Sequence, residues 1–175
     1  MCGASGSAKS SFAKALIKFC PISGVSYNGI PIADVRKRDL RERVEYLSQN
    51  IPIIKGTLRD NLFFGGKWSA EAEAHFKNEP VLQTILADKT LDTEILDSGA
   101  NLSGGEKQKI ALARALQRGA DVLILDDICS NIDKASASDI YIHLDNGCQS
   151  RITIIITHDT LPESFVDVEL NTYTD

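Results

Sequence analysis

The sequence predicts a three-layer α/β fold, with a mainly parallel sheet flanked by helices and a helical lobe inserted into the chain. Three observations carry this. Val122–Leu125 and Ile152–Ile156 are short apolar runs that end in Asp126-Asp127 and Thr157-His158, the pattern of buried strands. Helical segments from Leu102 to Leu116 and near Ala135–Leu144 alternate with them, as strands and helices do in a parallel α/β sheet. Between Ile51 and Asn101 the pattern changes and helical signals dominate.

The elements follow in order. Phe12, Leu16 and Phe19 recur at i, i+4, i+7 and predict a helix from about Ser10 to Phe19, ended by Pro21. Short β-type runs at Val25–Tyr27 and Ile30–Ile32 enclose the turn signal Asn28-Gly29. Asp34–Arg43 is densely charged. Its Arg36, Lys37, Arg38, Arg41 and Arg43 are interrupted by Asp39 and Glu42, so it reads as a solvated helix or turn and not as a nucleic-acid surface. Val44–Ser48 reads as a strand ending at Gln49. Helical segments follow at Ser69–His75 and Val81–Ala87.

The 175 residues suit one domain with a small inserted lobe, and 43% hydrophobic with 25% charged residues exclude collagen-like and disordered classes. A net charge of −5 argues against a broad nucleic-acid surface. The apolar runs fall far short of the ~18 residues a membrane span needs, so any membrane role requires another segment or chain. Cys2, Cys20, Cys129 and Cys148 lack C-x-x-C spacing and read as free thiols of a reducing compartment, with neither a zinc site nor a disulfide framework expected. No charged n-region precedes an apolar stretch at the N-terminus, so no signal peptide is expected.

The chemistry begins at Gly3-Ala-Ser-Gly-Ser-Ala-Lys-Ser-Ser, which almost fits G-x-x-x-x-G-K-[ST]. In such a loop, backbone N–H groups and a helix N-terminus cradle phosphate, the lysine reaches the β/γ-phosphates and the next hydroxyl binds Mg²⁺. Gly3, Ser5, Gly6, Ser7, Ala8, Lys9, Ser10 and Ser11 are therefore the candidate nucleotide-binding residues, with Lys9 on phosphate and Ser10 on the metal. Ala8 stands where the motif has its last glycine. If that position needs a positive φ, alanine is strained there by about 1–2 kcal/mol.

Further along, Leu102-Ser-Gly-Gly-Glu-Lys-Gln-Lys-Ile-Ala-Leu-Ala-Arg-Ala-Leu closely resembles the signature of ATP-binding cassette (ABC) ATPases. Val122-Leu-Ile-Leu-Asp-Asp resembles that family's Walker B strand, Ser130-Asn-Ile-Asp133 its D-loop, Gln49 its Q-loop glutamine and His158 its switch histidine. With the phosphate loop, the motifs occur in the family's order, and the resemblance spans essentially the whole chain. It implies a P-loop NTPase core that binds ATP and Mg²⁺. Ser10, Gln49 and Asp126 would hold the metal or its waters, and Asp127 and His158 would orient the attacking water. Ser103, Gly104, Gly105 and Glu106 would close over ATP held by a second nucleotide-binding domain, with Asp133 in the D-loop between them. Gln49–Leu62 looks like the segment after the Q-loop in exporters, and Thr93–Gly99 loosely resembles the exporter X-loop, with Asp97 in place of the expected acid.

The sequence departs from the family at three points. Besides Ala8, Asp127 stands where the family usually has a catalytic glutamate. Its carboxylate is set back by about 1.5 Å, and a misplacement near 1 Å costs about 10²-fold in rate. Only Met1 and Cys2 precede Gly3, with no counterpart of the upstream β-subdomain, and the chain stops soon after His158. It reads either as a fragment of a longer transporter polypeptide or as a truncated gene product.

The expectation is a discontinuous ATPase core at residues 1–49 and 102–175 and a helical subdomain at 50–101. The resemblance implies the nucleotide-binding domain of an ABC transporter of exporter type, on the cytoplasmic side of the membrane. Its partners would be a transmembrane domain, in the same or a separate chain, and a second nucleotide-binding domain, identical or not; nucleic acid is not expected. The alternatives are a non-hydrolysing regulatory subunit and a truncated, non-functional product. The transported substrate and the choice between adenine and guanine nucleotide stay open.

Overall fold

A computed structural model of the chain describes residues 8–64, 66, 68–147, 151–166 and 168. Its centre is a three-stranded parallel sheet in the order β3 (Val44–Leu47), β6 (Val122–Asp126), β7 (Ile152–Ile156). All five residues of β6 are buried, as a central strand covered on both faces requires.

The period-2 alternation of that strand sorts the core into two clusters. Val122 and Ile124 face one side with Val44 and Ile156, and meet Ala13 and Leu16 of α1 (Lys9–Leu16) and Leu40 of α2 (Lys37–Arg43). Leu123, Leu125 and Ile155 face the other side. There they pack on Leu112 and Ala115 of α6 (Gly104–Gln117) and on Ala137, Ile140, Tyr141 and Leu144 of α7 (Lys134–Gly147). The result is the three-layer α/β arrangement expected.

Between β3 and α6 lie β4 (Gly56–Thr57), α3 (Leu58–Leu62), α4 (Ala70–Asn78), α5 (Pro80–Leu86) and β5 (Glu94–Ile95), with β4 and β5 paired antiparallel. These elements have their own core of Leu58, Leu62, Phe76, Leu82, Ile85 and Ile95, closed by Leu102, Ile110 and Ala113 of the signature segment and α6. Helix α6 thus serves two cores from two faces, Ile110 and Ala113 on one and Leu112 and Ala115 on the other. Fully buried Asn61 fixes the chain after Gln49. Its Oδ1 accepts the Ile54 N–H at 2.9 Å, and its Nδ2 donates to the Ile54 and Thr57 carbonyls at 2.9 and 3.0 Å.

One local feature differs from the sequence reading. The first helix ends at Leu16, a turn before the predicted Phe19. Lys18 takes φ 60°, its N–H donates to the Ala15 carbonyl, and the Phe19 N–H donates to the Lys14 carbonyl, the two closing bonds of a Schellman motif. The Lys18 ammonium anchors this non-glycine cap by donating to the Ala33 and Val35 carbonyls, each at 2.8 Å. Phe19 consequently points to solvent at 67% exposure and is not the core residue its spacing suggests. The charged segment is a 3₁₀ turn (Ile32–Asp34) followed by α2, in keeping with a solvated turn and helix. Its Arg36–Asp39 and Arg38–Glu42 pairs are exposed, as a solvated face should be. The predicted Asn28-Gly29 turn joins β1 (Ser26–Tyr27) to β2 (Ile30–Pro31), with both turn residues at positive φ. Among the described residues, no helix is long and apolar enough to cross a membrane.

Candidate functional site

Parallel strands present their C-terminal ends as one edge, where ligands bind in open α/β sheets. The register Leu47↔Leu125 and Asp126↔Ile156 brings Gln49, Asp126, Asp127 and His158 to that edge of the sheet. Helix α1 packs against β6, and its Ser10 hydroxyl donates to Asp126 Oδ1 at 2.9 Å. Two candidate residues 116 positions apart in sequence are therefore in direct contact. The other carboxylate oxygen, Oδ2, accepts the Tyr46 hydroxyl at 2.8 Å. Burial first, and then the Asp126 carboxylate, push the Tyr46 phenol well above its ordinary range, so Tyr46 stays a donor.

This donor set suits Mg²⁺. A hydroxyl and a nearly buried carboxylate are hard oxygen ligands already held together, and the phenol fixes the carboxylate from behind. Gln49 makes a different contact, its Nε2 donating to Ser130 Oγ at 3.2 Å.

Ala8 adopts φ 57°, ψ 15°, the left-handed conformation in which its missing glycine was expected to matter. Its carbonyl opens α1 by accepting the Phe12 N–H at 2.8 Å, and no side chain caps that helix. Lys9 is buried at the first turn, and Ser11 is exposed. Gly3, Ser5, Gly6 and Ser7 lie outside the described residues.

Asp127 also has a positive φ, 54°, and its N–H donates to the Ile156 carbonyl at 2.9 Å, tying it to the end of β7. His158 stands exposed between two anchored residues. Buried Tyr141 donates to Asp159 Oδ2 at 3.0 Å and lies 3.1 Å from Thr157 Oγ1, which accepts the Asp159 N–H at 3.0 Å. Asp133 caps α7, its Oδ1 accepting the Ser136 N–H at 2.9 Å; that bond and the Ser136 hydroxyl hold its carboxyl below the ordinary range.

The signature segment forms the N-terminus of α6. Ser103 and Glu106 make a reciprocal capping box: Glu106 N–H donates to Ser103 Oγ at 3.2 Å, and Ser103 N–H donates to Glu106 Oε2 at 2.7 Å. Gly104 and Gly105 lie against the D-loop segment. A Cβ on Gly104 would sit 3.1 Å from Asn131 Cβ, and one on Gly105 would sit 3.0 Å from the Asn131 carbonyl oxygen. Buried Gln108 knits these parts, with Nε2 donating to Ser130 Oγ at 3.2 Å and Oε1 accepting the Asn131 N–H at 3.1 Å. Ser130 therefore joins Gln49 to α6.

Sequence reasoning missed Tyr46, Gln108 and the Tyr141–Thr157–Asp159 anchor. Tyr46 had a usable signal. It pairs with Ile124 in register, so period-2 alternation puts it on the same face as Asp126, and a buried phenol beside a carboxylate seeks it as an acceptor.

The fold and this edge define a P-loop nucleoside-triphosphatase core, in which a phosphate-loop helix meets an acidic strand end. The chain belongs to the ABC transporter family, whose model matches residues 1–130. It is similar to the ATP-dependent lipid A-core flippase of Ralstonia nicotianae, 32% identical over 164 residues that cover 89% of this chain and 28% of that protein. The flippase of the same name from Thiobacillus denitrificans is 35% identical over 162 residues, again 89% and 28%. A solved bacterial Atm1-family ABC exporter with ATP bound superposes with a TM-score of 0.78 at 30% identity, over 89% of this chain and 28% of that one. The fold is accordingly that of an exporter's nucleotide-binding domain, and the chain spans little more than a quarter of the relatives it matches.

Proposed function

We propose that this chain is the ATP-binding and slowly ATP-hydrolysing domain that powers an ABC exporter through nucleotide-driven dimerisation. The carrying observation is the 2.9 Å contact of Ser10 with Asp126, which joins the phosphate-loop helix to the Walker B strand. In this reading residues 1–49 and 102–175 form the ATPase core and 50–101 the helical subdomain. The flippase and exporter relatives support the export direction, a membrane-spanning partner and a position on the cytoplasmic side of the membrane.

The residues act as follows. Lys9 neutralises phosphate charge, and the N-terminus of α1 adds its backbone N–H groups. Ser10 and Asp126 would hold Mg²⁺, and Gln49, whose Nε2 donates to Ser130, would offer its amide oxygen to the ion or its waters. When bound, the ion would offset charge on the phosphate oxygens. Asp127 and His158 orient the attacking water. Positioning and charge stabilisation do most of the work in phosphoryl transfer, so the shorter Asp127 slows turnover while leaving binding intact. Ser103, Gly104, Gly105 and Glu106 complete the site of a second nucleotide-binding domain, with Asp133 alongside.

The test is Mg²⁺-dependent ATP turnover by the full chain against Asp126→Asn. Loss of one charged contributor to transition-state stabilisation should lower turnover by about 10²–10³-fold. Equal turnover in both proteins would refute the site.

A further inference from the structure

Lys89 follows α5, held in its last turn by an N–H bond to the Ile85 carbonyl at 3.0 Å. Its ammonium meets Glu106 Oε1, with the two side chains only 21% and 22% exposed. The other carboxylate oxygen takes the Ser103 N–H. The Glu106 carboxylate thus sits at the N-terminus of α6, the end at which Gly104 and Gly105 have amides with no intrahelical acceptor.

A negative side chain there stabilises the helix by itself, because it complements the macrodipole. The same charge opposes any anion approaching that terminus. The conflict needs a cation, and among the described residues other nearby ones are engaged elsewhere: Arg59 with Asp92 and Glu73, Lys77 with Glu73, Lys107 with the Ser98 carbonyl and Lys109 with the Thr84 hydroxyl. Among the described residues, Lys89 is the ammonium paired with Glu106.

We propose that Lys89 is a positioning residue for nucleotide capture in trans, cancelling the Glu106 charge so that the N-terminus of α6 can receive the phosphates held by a second copy of this chain. The inference rests on the nucleotide-binding reading above and adds a residue to it. Glu106 keeps its cap, and Lys89 makes the capped terminus compatible with an anion. Glutamine at this position also completes a capping box, so cap and charge can be separated by mutation.

The experiment measures the MgATP concentration giving half-maximal dimerisation of the full chain, by sedimentation velocity. It compares the parent with Lys89→Met, Lys89→Arg, Glu106→Gln and the double variant Lys89→Met/Glu106→Gln. Lys89→Met should raise that concentration by about tenfold, the order one uncompensated unit charge produces at a partly exposed site. Lys89→Arg should restore it. Glu106→Gln leaves the Lys89 charge uncompensated and should lower that concentration by a similar factor, and the double variant should return to within about twofold of the parent, since a neutral cap needs no counter-ion. A mere brace between α5 and α6 predicts the opposite, with Glu106→Gln as harmful as Lys89→Met and the double variant no better; that result overturns the proposal. Lys9→Ala keeps the two failures apart. If the parent shows no dimerisation that Lys9→Ala abolishes, the nucleotide reading fails and takes this inference with it. If it does, and Lys89→Met matches the parent, this inference alone is wrong.

Discussion

Ala8 gives a prediction whose size follows from the backbone. It holds φ 57°, ψ 15°, and its carbonyl is committed to the first bond of α1, so it cannot relax without opening that helix. A left-handed alanine costs about 1–2 kcal/mol relative to the right-handed region. Glycine removes that strain but brings a more flexible unfolded chain, which offsets about 0.4–1 kcal/mol. The net gain for Ala8→Gly is about 0.5–1 kcal/mol, or a rise in Tm of about 2 °C for a chain of this size. Thermal unfolding followed by circular dichroism reads it directly. Ala8→Val is the control in the other direction, since a β-branched residue is worse still at positive φ. An unchanged or lower Tm for Ala8→Gly would refute the strain argument.

Four further outcomes are expected. Asp127→Glu restores the missing methylene and should speed ATP turnover by about 10²-fold in a steady-state assay; no gain would mean that carboxylate reach does not limit the reaction. Tyr46→Phe frees Asp126 Oδ2 and should weaken the Mg²⁺ dependence of ATP binding by about 10–100-fold, read by metal titration, whereas an unchanged titration would show the phenol to be incidental. Gly105→Ala drives a Cβ to within 3.0 Å of the Asn131 carbonyl and should cost about 1–3 kcal/mol in denaturant unfolding; parent-like stability would mean the D-loop moves aside freely. Burial pushes the Cys129 thiol up to about 11, while Cys20 is exposed. Peptide mapping after alkylation near neutral pH should find Cys20 modified and Cys129 protected, and equal labelling would contradict the packing of Cys129 beneath the D-loop.

The two strands β6 and β7 were legible because they are short apolar runs ended by Asp126-Asp127 and Thr157-His158, and strand alternation also fixes their faces. The helix after Ala8, the helix that starts at Gly104 and the place of Asp126 at the end of β6 were legible because local spacing records them directly. Ala8 belongs here too: it stands at the motif's last glycine position and adopts the positive φ at which alanine is strained. Less legible were features set by tertiary partners. Phe19 had core spacing, but Lys18 found two carbonyls in the next segment and ended the helix early. Gln49 donates from its Nε2 to Ser130 across 81 positions, a contact that no local pattern announces. The Lys89–Glu106 pair joins the loop after α5 to the first turn of α6, and no local pattern announces it.

The central claim is that Lys9 and the helix it opens bind the phosphates of a nucleotide. Titration calorimetry of MgATP into the full chain and into Lys9→Ala tests it most directly. Binding by the parent, with affinity at least about tenfold lower in the variant as expected for losing one charge-assisted contact, is the predicted result. Equal affinity in the two proteins, or none in either, would contradict it.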